Sequence, residues 1–164
     1  MSRVGLLGDV VARSILDRAE LVSKRLTALG VPHVLIGGLA VGVHGHPRAT
    51  KDVDFLVGAE AFASMAPLLV YRAELADLVR VGNTDIMSVP PKYPVLFGEL
   101  RLDDDVPIIS LRGLVLMKLD AFRPRDREDV RTLLTQDPSQ IRSMRDFLQS
   151  HAPDLVHRLA EVLA

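Results

Sequence analysis

The chain has 164 residues, of which 48% are hydrophobic and 25% charged, and a net charge of −1. That composition predicts one globular domain over 1–164 and excludes a largely disordered chain or a generic polyanion binder. There is no cysteine, which excludes disulfides, thiol catalysis and cysteine-ligated metals, and there is no tryptophan to build a stacking platform.

In chain order, residues 9–30 read as a helix, because Val11, Ile15, Ala19, Val22, Leu26 and Leu29 recur at steps of three and four. Asp9 is its expected cap, and Gly30 with Pro32 its stop. A buried strand is expected at 33–36, a short helix at 39–44 and a second strand at 51–57. Residues 59–69 read as a helix interrupted near Pro67. Residues 78–89 read as a hairpin turning at Gly82-Asn83, and 106–109 as one more short strand. Ser110 is the expected N-cap of a helix, and three further helices are expected at about 125–135, 138–149 and 153–163. The fold class predicted is α/β (α+β), a small mixed sheet with flanking helices (30–110) and a helical C-terminal part (111–164). No apolar stretch approaches the ~18 residues of a membrane span, and Asp9 interrupts the apolar run at 5–12, so neither a membrane helix nor a secretory signal is expected. The expected address is the cytoplasm.

The chemistry concentrates in residues 37–54. Asp52 and Asp54, two apart on an expected strand, would share a face and stand within roughly 7 Å. Two such carboxylates repel unless a cation compensates, and an all-oxygen site points to Mg²⁺ or Mn²⁺. The same pair also fits the solvated face of an edge strand. Gly37-Gly38, between a strand and a helix, would let backbone N–H groups approach a phosphate, or form a plain turn. The Gly37, Gly38 and Gly42 spacing does not match a dinucleotide-binding loop. His44 and His46 lack the further partners a zinc site needs.

Taken together, Gly37-Gly38, a short helix and Arg48-x-Thr50-x-Asp52-x-Asp54 resemble the signature of the nucleotidyltransferase superfamily with the DNA polymerase β-like fold. The pattern is most similar to the AbiEii-type and minimal nucleotidyltransferases of toxin–antitoxin and phage-defence systems. Lys118 followed by Asp126-x-x-Asp129 agrees with it, and the resemblance spans roughly 30–135. It implies transfer of a nucleoside monophosphate from a nucleoside triphosphate to a hydroxyl, with Asp52 and Asp54 holding Mg²⁺ or Mn²⁺. It also implies a third carboxylate on a neighbouring strand, for which Asp85 is the best match and Asp77 the fallback. Gly37, Gly38, Arg48, Thr50, Lys118, Asp126 and Asp129 are then the nucleotide-binding candidates.

Several of these residues have a second reading. Arg48 would contact phosphate, brace the aspartates or make a structural ion pair, and Asp126 would bind nucleotide or cap a helix. Lys118 would meet a triphosphate, or snorkel to the surface. Six arginines against four acids over 123–145 favour an anionic acceptor such as tRNA, with a protein hydroxyl as the alternative. A cognate toxin or antitoxin chain is a possible partner. Two competing readings are a non-catalytic, antitoxin-like member of the same fold and a metal-dependent glycosyltransferase, which would leave Gly37-Gly38 unexplained.

Overall fold

The structure is a computed structural model and describes residues 2–64, 70–80 and 83–164. Its centre is a three-stranded sheet in the order β1 (His33–Ile36), β2 (Val53–Val57), β5 (Thr84–Ser88). β1 runs antiparallel to β2, and β2 runs parallel to β5. A parallel pair cannot be joined by a tight turn and requires a crossover. Here the crossover holds a short antiparallel pair, β3 (Phe62–Ser64) with β4 (Val70–Tyr71), and the helix α3 (Ala73–Arg80).

That crossover corrects two expectations. Residues 78–80 are helical, so the hairpin at 78–89 does not form. Leu75 is buried and Val79 packs against the same core, the i, i+4 pattern of one helical face. Gly82, one half of the expected turn, lies outside the described residues. The helix expected at 59–69 is a single 3₁₀ turn at Ala59–Ala61 that runs into β3, where the Phe62 and Tyr71 rings face each other at 5.2 Å. Residues 65–69 of that expectation also lie outside the described residues.

The strands alternate between two apolar layers. Val53, Phe55 and Val57 join Leu35 and Ile86 in a core with Leu16, Ala19, Val22 and Leu26 of α1 (Arg13–Ala28). Val34, Ile36 and Leu56 point the other way, into a core with Leu114, Val115 and Leu119 of α4 (Leu111–Ala121). The three C-terminal helices complete that second layer. They are α5 (Pro124–Gln136), α6 (Ser139–His151) and α7 (Val156–Leu163), which contribute Leu133, Met144 and Leu159 among others. The sheet is therefore sandwiched between helices, and Asp54, flanked by Phe55 and two positions before Leu56, belongs to the α4 side.

Further expectations shift. α1 begins at Arg13 with Ala12 as its cap residue, because the chain first turns on the Leu7 carbonyl, which accepts from Val10 and Val11. Asp9 caps nothing there. Residues 106–109 make only an isolated bridge, Leu35 with Ile108, while Arg101 bridges His33. Together they cover the outer edge of β1 without forming a strand. β2 starts at Val53, so exposed Asp52 immediately precedes the strand, and its charge still acts on Asp54.

Ser110 does cap α4: its Oγ accepts from the Gly113 N–H at 3.1 Å and its hydroxyl donates to Glu99. Ser110→Ala removes both bonds. The expected outcome is a loss of about 1–2 kcal/mol in urea unfolding, and an unchanged midpoint would contradict this role for the cap.

Candidate active site

The register of the sheet assembles the acidic site. Ile36, the last residue of β1, pairs with Asp54, and Asp54 pairs with Asp85 on β5. Asp54 and Asp85 are thus neighbours on adjacent strands, about 4.8 Å apart along the hydrogen-bonding direction. Gly37, the first residue of α2 (Gly37–Val43), has φ +70°. A Cβ there would fall 2.1 Å from Asp54 Oδ2. Only glycine tolerates both that backbone conformation and that approach. A Cβ on Gly38 would meet Thr50 Oγ1 at 2.9 Å and Arg48 Nη1 at 3.4 Å. Thr50 Oγ1 also accepts from the Asp52 N–H at 3.4 Å, which orders the approach to β2.

Partial burial raises the Asp54 carboxyl to about 6, and the charges of Asp85 and Asp52 push in the same direction. Lys118 and Arg123 oppose them more weakly. Among the described residues no three His, Cys, Asp or Glu side chains form a group that could hold a metal ion as they stand. The donor chemistry nevertheless suits a hard divalent cation: all the candidate ligands are carboxylates, and their mutual repulsion is what such an ion relieves. Asp77 lies in α3, and its side chain is outside the described residues.

Beside this acidic site lies a buried ion network. Lys118 is 7% exposed, and its Nζ stands 3.0 Å from Asp126 Oδ1 and 2.8 Å from Asp129 Oδ2. Arg48 grips Asp129 with two bonds of 3.0 Å each. Arg123 Nε donates to Asp126 Oδ2 at 2.8 Å and its backbone N–H donates to the same oxygen at 3.2 Å. Burial works to raise both aspartates, but the bonds from Arg123 and Lys118 hold Asp126 low, and those from Arg48 and Lys118 hold Asp129 low. Lys118 is therefore neither snorkelling nor free. Asp126 both caps α5 through Arg123 and pairs with Lys118, while Arg48 braces Asp129 rather than the strand aspartates.

His44 and His46 both have partners within the fold. His44 Nε2 lies 2.6 Å from the Ile109 carbonyl, and His46 is 3.8 Å from Asp129. A cleft of about 280 Å³ opens where the two clusters meet, lined by Gly37, Asp54, Lys118, Arg123 and Asp126 and by apolar Met87, Pro90 and Met117. A larger hollow of about 650 Å³, on the α1 side and lined by Lys24, Arg25 and Glu74, holds none of these residues. Sequence reasoning counted Arg123 only as part of an arginine excess and missed Met87, Met117 and Asp120. Met87 follows Asp85 by two on a strand and so shares its face, but Met117 and Asp120, one and two positions from Lys118, do not share its helical face, and no local spacing marks them.

A small mixed sheet with a glycine turn packed against a strand aspartate is the arrangement of a nucleotidyltransferase-like fold. The chain belongs to the family described as nucleotidyltransferase of unknown function (DUF6036), whose sequence pattern matches residues 13–151. That match takes in α1 and α6, beyond the span of the motif resemblance. The fold is similar to that of an antigenic nucleotidyltransferase-like protein from Paracoccidioides brasiliensis, at 14% identity and a TM-score of 0.51 over 92% of this chain and 94% of the other. No curated protein matches the sequence.

Two outcomes follow. Asp54 carries a folded-state value of about 6 against an ordinary 3.8, so it favours folding below pH 3.8 and loses that contribution as pH rises through 6. Asp54→Asn, measured without divalent cations, should stabilise the protein at pH 8 by up to about 3 kcal/mol and hardly at all at pH 4. Equal shifts in Tm at both pH values would contradict the repulsion. Asp129→Ala leaves Lys118 and Arg48 without their shared partner and should cost roughly 3–5 kcal/mol in urea unfolding. A loss below about 1 kcal/mol would mean the network is solvated.

Proposed function

We propose that the protein transfers a nucleoside monophosphate from a nucleoside triphosphate to a hydroxyl acceptor. The observation that carries this reading is the register that sets Asp85 beside Asp54, with the Asp54 carboxylate against Gly37. Asp52, Asp54 and Asp85 would hold Mg²⁺ or Mn²⁺, which supplies charge neutralisation at the phosphates. Gly37 and Gly38, with Arg48 and Thr50 close to Gly38, border the place for the β- and γ-phosphates. Lys118, Asp126 and Asp129 set the charge of the opposite wall.

Asp85 is exposed and lies on the strand next to Asp54, which suits it to accept the proton of the incoming hydroxyl. The hydroxyl oxygen bonds to the α-phosphorus, the bond from that phosphorus to the bridging oxygen breaks, and pyrophosphate leaves. The arginines of 123–145 favour tRNA as acceptor, with a protein hydroxyl as the alternative. The AbiEii-like pattern supports a toxin–antitoxin setting with a cognate chain. Among the described residues no helix is long and apolar enough to cross a membrane.

A second reading, a nucleotide-binding protein without turnover, is favoured by one observation. Both carboxylates of the Asp126–Asp129 pair already occupy the Lys118 ammonium.

The test is pyrophosphate release from each labelled triphosphate with Mg²⁺ and total tRNA or a protein mixture. Release by the wild type, reduced at least about 100-fold in Asp85→Asn and in Asp54→Asn, is expected. Mg²⁺-dependent binding without release across acceptors would select the second reading. Failure to bind any triphosphate would end both.

A further inference from the structure

The cleft beside Asp54 has two chemically different ends. α4 supplies one wall through Leu114, Met117, Lys118, Asp120 and Ala121. At 100° per residue these positions span about 160° of the helix surface. Their angular order is Lys118, Leu114, Ala121, Met117, Asp120. A cation stands at one edge, a carboxylate at the other, and three apolar side chains lie between. Across the cleft, Gly37 and Asp54 come from β1–α2 and β2, and Met87 from β5. Met87, two residues beyond Asp85 on the same face of its strand, is 42% exposed. Met87 and Met117 offer adaptable, polarizable surfaces on two sides of one slot.

Asp120 stands at the far edge, on the boundary with a neighbouring hollow of about 360 Å³ that Lys92 and Tyr93 also line. Its Oδ1 accepts from Lys92 Nζ and from the Tyr93 hydroxyl, each at 2.7 Å. Both bonds fall on one oxygen, and among the described residues Oδ2 accepts none. An ionised carboxylate is an acceptor only. It rewards a ligand edge that donates and disfavours one that presents carbonyl oxygens.

We propose that the cleft seats the nucleobase of the triphosphate between Met87 and Met117, and that Asp120 makes the site prefer adenine and cytosine, which carry an amino group at that edge, over uracil. This inference rests on reading the Asp54 site as a triphosphate site. Adenine N6 and cytosine N4 are N–H₂ groups that can donate to Oδ2, whereas guanine carries the O6 carbonyl at the corresponding edge. Uracil brings an O4 carbonyl to the place of that amino group, so in the same pose its oxygen faces the carboxylate, and its one donor on that edge, N3–H, would have to shift to reach Oδ2. Asp120 is thus a specificity residue, and Lys92 and Tyr93 are positioning residues that fix its orientation.

The experiment is calorimetric binding of non-hydrolysable ATP, CTP, GTP and UTP analogues, with Mg²⁺, to the wild type and to Asp120→Asn. The wild type should bind the UTP analogue at least about tenfold more weakly than the CTP analogue, since these two differ chiefly at the amino edge. Asp120→Asn keeps the shape, replaces one acceptor with a donor, and should shrink that gap at least about fivefold. If the variant does not fold, the wild-type ranking decides alone. Equal wild-type affinity for all four analogues, or a gap unchanged in Asp120→Asn, overturns this inference while leaving triphosphate binding intact. Binding of none of the four overturns the inference together with the reading it rests on.

Discussion

The arrangement depends on where one buried ammonium finds its counter-charges. Lys118 lies on a helix whose neighbouring positions are apolar, and an unpaired cation there would be strongly unfavourable. Asp126 and Asp129 from the next helix meet it, and Arg48 and Arg123 complete their hydrogen bonding. Arg48 comes from the segment leading into β2, so the network ties that segment to the C-terminal helices. Three cations surround two carboxylates, and the surplus positive charge lies toward Asp54, where it partly offsets the repulsion from Asp85 and Asp52.

The acidic site and the ion network therefore work as opposite walls of one cleft. The sheet wall is negative because its register sets two aspartates side by side and lets Gly37 press against one of them. The helix wall is cationic at Lys118 and becomes apolar along α4 toward Asp120. The nucleoside triphosphate proposed above would complement that wall, with concentrated negative charge at one end and a flat, weakly polar base at the other. Asp54 is left in an environment that disfavours its charge, a frequent condition of groups that work with a cation or move protons.

Crossing from β2 to the parallel β5 also explains why local pattern misled at two places. A Gly-Asn pair between apolar runs reads as a hairpin, but a hairpin would make β5 antiparallel to its predecessor. The sheet instead needs β5 beside β2, and α3 forms from Ala73 to Arg80 to carry the chain back. Likewise, residues 106–109 look like a strand, yet they meet β1 through one bridge, because Arg101 and Ile108 share that edge between them. Asp52 shows the same limit at the scale of single residues: its strand begins at Val53, two positions later than the expected start at 51.

The amino-acid order alone determined the glycine pair, the aspartates around β2, the lysine on an apolar helix and the helical C-terminal third. These depend on short-range spacing, capping and the chemistry of neighbouring side chains. Only the tertiary structure decided that Asp85 stands beside Asp54, that Lys118 is claimed by Asp126 and Asp129, and that Met87, Met117 and Asp120 share a cleft. Strand pairing and charge pairing join residues distant in sequence, and such partners are selected by burial and packing of the whole chain rather than by any local signal.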